Sequence, residues 1–207
     1  MRQETQKARR KEIQQAALAL LGQHGYAATT MASVAKAAGA SLETPYKWYG
    51  DKPGLFRAMV QANIEELRDG LVMSVATFRD PLAALQEFGP RLIAVLTSEE
   101  VVALNRAAAD PSGDLGRIIA ETGRGSIAPQ LTGLFDRAME SDDPAQITEI
   151  YLGLLLGDLQ IRRVIGRIPP PDATEIRQRS DRALELFCRL FPACPSKLPS
   201  EISVAFA

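Results

Sequence analysis

Tyr46, Lys47 and Trp48 stand side by side in a segment that also carries Ser41, Leu42, Glu43 and Thr44. A phenol, an ammonium and two hydroxyls can donate to phosphate oxygens, and Lys or Glu can meet base edges. A surface helix would otherwise present small or charged groups here, so Tyr, Lys and Trp in a row need a reason. Just before them lies a second short helical pattern, from Thr30 to Ala38. The two meet at Ala38-Gly39-Ala40, where Gly39 can take the positive φ that ends a helix. Two short helices about such a turn, the second bearing these side chains, have the form of a helix-turn-helix that lies against DNA.

Other chemistry is poorly supplied. His24 is the single histidine, read as a surface residue, and Cys188 and Cys194 are the two cysteines. They make neither a disulfide framework nor a metal site. There is no Gly-rich phosphate loop after a strand, no HExxH and no Ser-His pair in a recognisable context, so neither an enzyme nor a cofactor is expected. The apolar share of 46% and charged share of 24% suit a soluble globular chain. The longest apolar run, Leu152 to Leu159, is broken by Gly153, Gly157 and Asp158 and falls short of the ~20 residues that span a bilayer. The start, MRQETQKARRK, has no apolar stretch of the secretory kind, so the cytoplasm is expected.

Charge is unevenly placed. Residues 1–52 hold eight basic and four acidic side chains, and the remainder holds 16 basic and 21 acidic. A basic head on an acidic body suggests that the head meets a polyanion.

The elements that must position these side chains read as helices throughout, an all-α fold. Ile13, Ala16, Ala17, Leu20 and Leu21 make an amphipathic helix ending at Gly22 or Gly25. Thr30 caps the second helix, whose inner face is Met31, Val34, Ala35 and Ala38, and Ser41 caps the third. Asp51-Lys52-Pro53 opens a fourth. Beyond it, helices are expected over 54–78, 81–97, 99–109, 114–139, 144–166 and 173–191, several opened by Asp80-Pro81, Asp143-Pro144 and the capping pair Asp172 and Glu175. This divides the chain into an N-terminal arm and three-helix head (1–52, helix-turn-helix about 30–49), a larger helical body (53–191) and a loose Pro-rich tail (192–207). Segments 144–166 and 173–191 are apolar on two sides and must be covered on two sides. Gly153 and Gly157 leave a flat strip on the first, so a homodimer through 144–166 and 173–191 is expected.

From Lys11 to Phe56 the sequence resembles the DNA-binding head of the tetracycline-repressor (TetR) family of bacterial regulators. The matching residues are Ile13 and Ala16-Ala17, Gly25-Tyr26, Thr29-Thr30, Val34-Ala35, Ala38-Gly39-Ala40-Ser41, Tyr46, Tyr49, Lys52 and Leu55-Phe56. The resemblance implies that Thr30, Tyr46 and Lys52 meet phosphates, and that Ser41, Leu42, Glu43, Thr44, Lys47 and Trp48 face the bases. It also implies that Tyr49 packs under the turn. The basic arm Lys7 to Lys11 would follow the backbone or enter a minor groove. Pro45 departs from the apolar residue usual in the family and, with Ser41 as cap, would remove the amide that closes the first helical bond.

A dimeric regulator follows, most simply a repressor released from a palindromic operator in double-stranded DNA by an apolar or amphipathic small-molecule effector. Met59, Phe78, Phe88 and Tyr151 are the residues that could line its effector site. The alternative, a helical protein-interaction module without DNA function, explains the two-sided helices but leaves the basic head without a purpose.

Overall fold

The computed structural model describes residues 2–109, 114–122, 124–139 and 143–191. Among them the chain forms eleven α-helices and no strand, as an all-α reading requires. The head holds α1 (Arg2–Ala28, interrupted at Gly25), α2 (Met31–Ala37) and α3 (Glu43–Tyr49). Then come α4 (Lys52–Thr77), α5 (Pro81–Leu96), α6 (Glu99–Ala108), α7 (Leu115–Thr122) and α8 (Arg124–Ala138). The last three are α9 (Pro144–Leu156), α10 (Leu159–Val164) and α11 (Ala173–Leu190).

The sequence signals for helix starts hold at atomic level. Asp51, Asp80 and Asp143 each cap with a carboxylate that accepts a backbone N–H, and each is followed by proline within the first turn. Asp172 and Glu175 form a reciprocal capping box. Pro90 lies inside α5, so the Gln86 carbonyl has no proline N–H to accept; Arg177 of α11 donates to it instead at 3.4 Å.

Two apolar cores share one helix. The head core joins Ile13, Ala17, Leu21 and Val34 to Leu55, Phe56 and Met59 of α4, and reaches Leu104 of α6 and Ile118 of α7. The body core takes Leu67 and Leu71 from the far half of α4 and centres on Phe88, Phe135, Tyr151 and Phe187. The Phe135 ring lies 5.5 Å from Tyr151 and 5.1 Å from Phe187. With 26 residues, α4 runs about 39 Å, long enough to belong to both. The boundary expected at residue 52 is therefore where α4 starts, while the head core continues past it.

Two expectations change here. The segment 144–166 is two helices, because Gly157 takes φ 47°, ends α9 and turns the chain into α10. The glycine strip is consequently not a continuous face: a Cβ on Gly157 would come within 3.0 Å of Arg179 Nη2, whereas Gly153 is open. The N-terminal arm is the first part of α1. Cys194 and the tail 192–207 lie outside the described residues. No helix among those described is long and apolar enough to cross a membrane.

Candidate nucleic-acid interface

The helix-turn-helix is assembled by local rules. Thr30 Oγ1 accepts the Ser33 N–H at 3.1 Å, and Ser33 Oγ accepts the Thr30 N–H at 3.0 Å. At the far end of α2, Gly39 takes φ 58° and the Ala40 N–H reaches back to the Ala35 carbonyl at 2.9 Å. Arg9 of α1 donates to the Gly39 carbonyl at 2.6 Å and pairs with Glu12. This guanidinium clamps the turn to α1. Arg9 is thereby committed within the head, while Lys7 and Lys11 remain exposed on the same helix.

The third helix begins one residue later than Ser41-capping predicts. Leu42 is the N-cap residue with helical backbone angles, and its side chain makes no capping bond. Ser41 Oγ instead lies 2.9 Å from Thr44 Oγ1. Pro45 thereby becomes the third helical residue, whose amide has no intrahelical acceptor in any case, so the proline removes no bond. Its ring is buried toward the head. That orientation turns the opposite face outward: Leu42 is 50% and Tyr46 49% exposed, with Glu43 and Lys47 exposed beside them. Large apolar side chains rarely sit so open on a short helix without a partner surface.

The other residues named for the site or its support stand around this face. Trp48 is half-buried against the head core, with the Arg10 guanidinium 5.7 Å over its ring. Tyr49 also packs on that core, its hydroxyl reaching the Arg10 carbonyl at 3.5 Å, and burial raises its pKa. Thr44 is half-buried and turned to Ser41. Thr30 is exposed at the start of α2. Lys52 donates to the carbonyls of Tyr26 and Ala27 at 2.9 and 3.4 Å, beside the same α1–α2 junction. The face brought together is thus Leu42, Glu43, Tyr46 and Lys47, with Ser41 at its edge and Thr30 and Lys52 at a second point. Sequence reasoning did not foresee the internal duties of Arg9 and Lys52; nothing local marks a cation for a carbonyl more than 20 residues away.

The four residues considered for an effector do not converge. Met59 is in the head core, Phe88 and Tyr151 are in the body core, and Phe78 caps the end of α4. Among the surface hollows of the described residues, one of about 280 Å³ lies by Asn63, Val95 and Glu100 and another, of about 260 Å³, by Ile93, Leu159 and Ile176. Among the described residues no group of His, Cys, Asp and Glu is placed to hold a metal ion.

A helix-turn-helix head joined through one long helix to a larger helical body defines a DNA-binding transcriptional regulator. Residues 13–59 match the family model for bacterial regulatory proteins of the tetR family, and residues 83–193 match the C-terminal domain of AefR-like transcriptional repressors. The second match covers more than half of the chain, and the chain belongs to the TetR family. It is 28% identical over 172 residues to the HTH-type transcriptional regulator BetI of Rhizobium meliloti (strain 1021), covering 78% of this chain and 80% of that one. Among solved structures, it is similar to a putative TetR-family regulator from Mesorhizobium loti MAFF303099 (TM-score 0.70, 27% identity, 89% and 96% of the two chains). It is likewise similar to a flavonoid-responsive regulator, FrrA (TM-score 0.62, 25% identity, 92% and 100% of the two chains). These relatives are transcriptional regulators, not enzymes.

Proposed function

We propose that the chain acts in the cytoplasm as a homodimeric repressor that leaves a palindromic operator when a small apolar or amphipathic effector binds its body. One observation carries the reading: Leu42, Glu43, Tyr46 and Lys47 share an outward face on α3 while Pro45 anchors the opposite side. In this reading Ser41, Leu42, Glu43 and Lys47 meet base edges, and Thr30, Tyr46 and Lys52 meet phosphates. Lys52 keeps one N–H beyond the two it gives to carbonyls. Thr44 and Trp48 support the helix from behind, Trp48 at the edge of the contact.

Pairing of the bodies sets the distance between two such faces, which successive major grooves require to be about 34–36 Å. Exposed Gly153 on α9, Ile161 on α10, Ile165 just past α10 and Leu190 on α11 favour that region as the dimer face. Because α4 belongs to both cores, a shift in the body tilts the head. A structural relative described as flavonoid-responsive supports an apolar or amphipathic effector. Gel shifts on the DNA upstream of its own gene, across a salt series, test the reading. Specific retardation at physiological salt by a dimer supports it; equal binding to all sequences, or a monomer at micromolar concentration, overturns it.

A further inference from the structure

Helix α10 spans only Leu159–Val164, and helices shorter than about 12 residues are marginal on their own. It buries Leu159 and Arg163, while Ile161 and Ile165 are 55% and 61% exposed. Side chains bonded to carbonyls at helix ends hold it in place. Gln160 donates to the Leu96 carbonyl at 3.1 Å and Arg163 to the Thr97 carbonyl at 3.3 Å, both at the C-terminal end of α5. Arg163 also donates to the Ile168 carbonyl at 3.1 Å and to Glu99 at 2.7 Å. Last-turn carbonyls run short of helical donors and carry the negative end of the helix dipole, so a guanidinium suits them.

A second tie comes from α6. Arg106, in its last turn, donates through Nε to the Val164 carbonyl at 2.6 Å and through Nη2 to the Arg163 carbonyl at 2.9 Å. One planar fork thus grips two successive carbonyls at the C-terminal end of α10. The helix that carries it serves the head. Leu104 lies in the head core, Ala103, Ala107 and Ala108 pack against that core, and α6 packs on α1. Nearer its start, Val101 lies in the body core. Like α4, α6 therefore belongs to both cores. A head held by α4 alone would swing about that one helix, and an attachment off the α4 axis fixes its angle.

We propose that Arg106 is a positioning residue for DNA recognition: it ties α6, and through it α1, to α10, so that two heads keep the separation of one operator spacing. The inference rests on the dimeric, operator-binding reading given above, in which Ile161 and Ile165 face the partner. Arg163 and Gln160 fix α10 to the body, and Arg106 passes that fixed position to the head. Arg106 needs no contact with DNA to do this.

The test uses the full-length protein and duplexes made from its footprinted operator. They carry the native spacing, half-sites one base pair closer or farther apart, or a single half-site. One base pair shifts a half-site by about 3.4 Å and turns it by about 35°, more than rigidly held heads follow. The wild type should lose about tenfold on either altered spacing. Arg106→Met keeps the stem and removes the donors. It should bind the native spacing about fivefold more weakly and discriminate between spacings by less than about threefold. Arg106→Lys keeps the charge but not the planar fork and should fall between the two. Arg106 is exposed, so both variants should fold, and both should stay dimeric in sedimentation. Their affinity for a single half-site should match wild type because the α3 face is untouched, whereas a merely unstable head would lose there too. Full spacing discrimination in Arg106→Met, an equal loss on the single half-site, or an unfolded or monomeric variant overturns the proposal and leaves the dimeric reading standing. A wild type indifferent to spacing overturns both.

Discussion

The Lys52 ammonium lies 4.3 Å from the centre of the Tyr26 ring and 2.9 Å from the Tyr26 carbonyl oxygen. A cation from the first turn of α4 thereby closes the end of α1, at the point where the chain turns into α2. The residue that the family resemblance assigns to phosphate is also a brace between the head's first helix and the helix that leads to the body.

Lys52→Ala should consequently show two losses together. Stability should fall by about 0.5–1.5 kcal/mol, the worth of an ordinary hydrogen bond, read in a urea titration. Binding should weaken alike on specific and non-specific DNA, with the salt slope shallower by about one unit. A stability loss with an unchanged slope would leave Lys52 a brace alone.

Lys47→Ala should behave in the opposite way. The side chain is exposed and the fold should be unmoved, within about 0.5 kcal/mol. Discrimination at one base pair of the operator should drop by about 1–3 kcal/mol, measured by competition with single-position operator variants. Equal loss on every sequence would count against base reading.

Glu99→Ala tests the knot between α10 and α6. Glu99 is 69% exposed, yet its partner Arg163 is only 4% exposed and lies 2.7 Å away. Removing the carboxylate leaves the buried guanidinium with the Thr97 and Ile168 carbonyls but no counter-charge, so the variant should lose about 1.5–3 kcal/mol, the worth of a charged hydrogen bond, instead of the ~0.5 typical of a surface site, by denaturant midpoint.

Tyr151→Phe should leave the fold as stable or stabilise it by about 1 kcal/mol, since it deletes a buried hydroxyl that has no partner. Thermal unfolding reads the outcome, and a drop of more than about 2 kcal/mol would mean that the hydroxyl is bonded after all.

Glu100 supplies a pH test. Burial raises its pKa, more than the Asn63 amide lowers it. Its folded pKa lies above its unfolded value, so the folded state holds the proton more tightly and stability falls as pH rises from 4.5 through the raised folded pKa. Glu100→Gln should remove that slope, and the gain over wild type should appear above the window and vanish below it.

Local signals made the head readable. Thr30, Gly39 and Asp51 act on neighbours three to five residues away, and the capping bonds they promise are all present. The start of α3 was displaced by one residue because Ser41 has two competing partners, a backbone amide and the Thr44 hydroxyl, and periodicity does not rank them. Gly157 could continue a helix or end it, and periodicity does not show that it takes φ 47° and turns the chain into α10. Met59 belongs to the head core because α4 crosses both cores, a matter of packing at long separation. The body's polar details, Arg163 with Glu99 and Tyr151 with Gly89, join residues more than 60 positions apart and leave no local trace.

The most direct test of the account is a hydroxyl-radical footprint of the protein on the DNA upstream of its own gene. Two protected patches related by two-fold symmetry, with half-site centres about 34–36 Å apart, are expected, and Lys47→Ala should lose them. A single patch, protection without two-fold symmetry, or a footprint that Lys47→Ala leaves intact would contradict it.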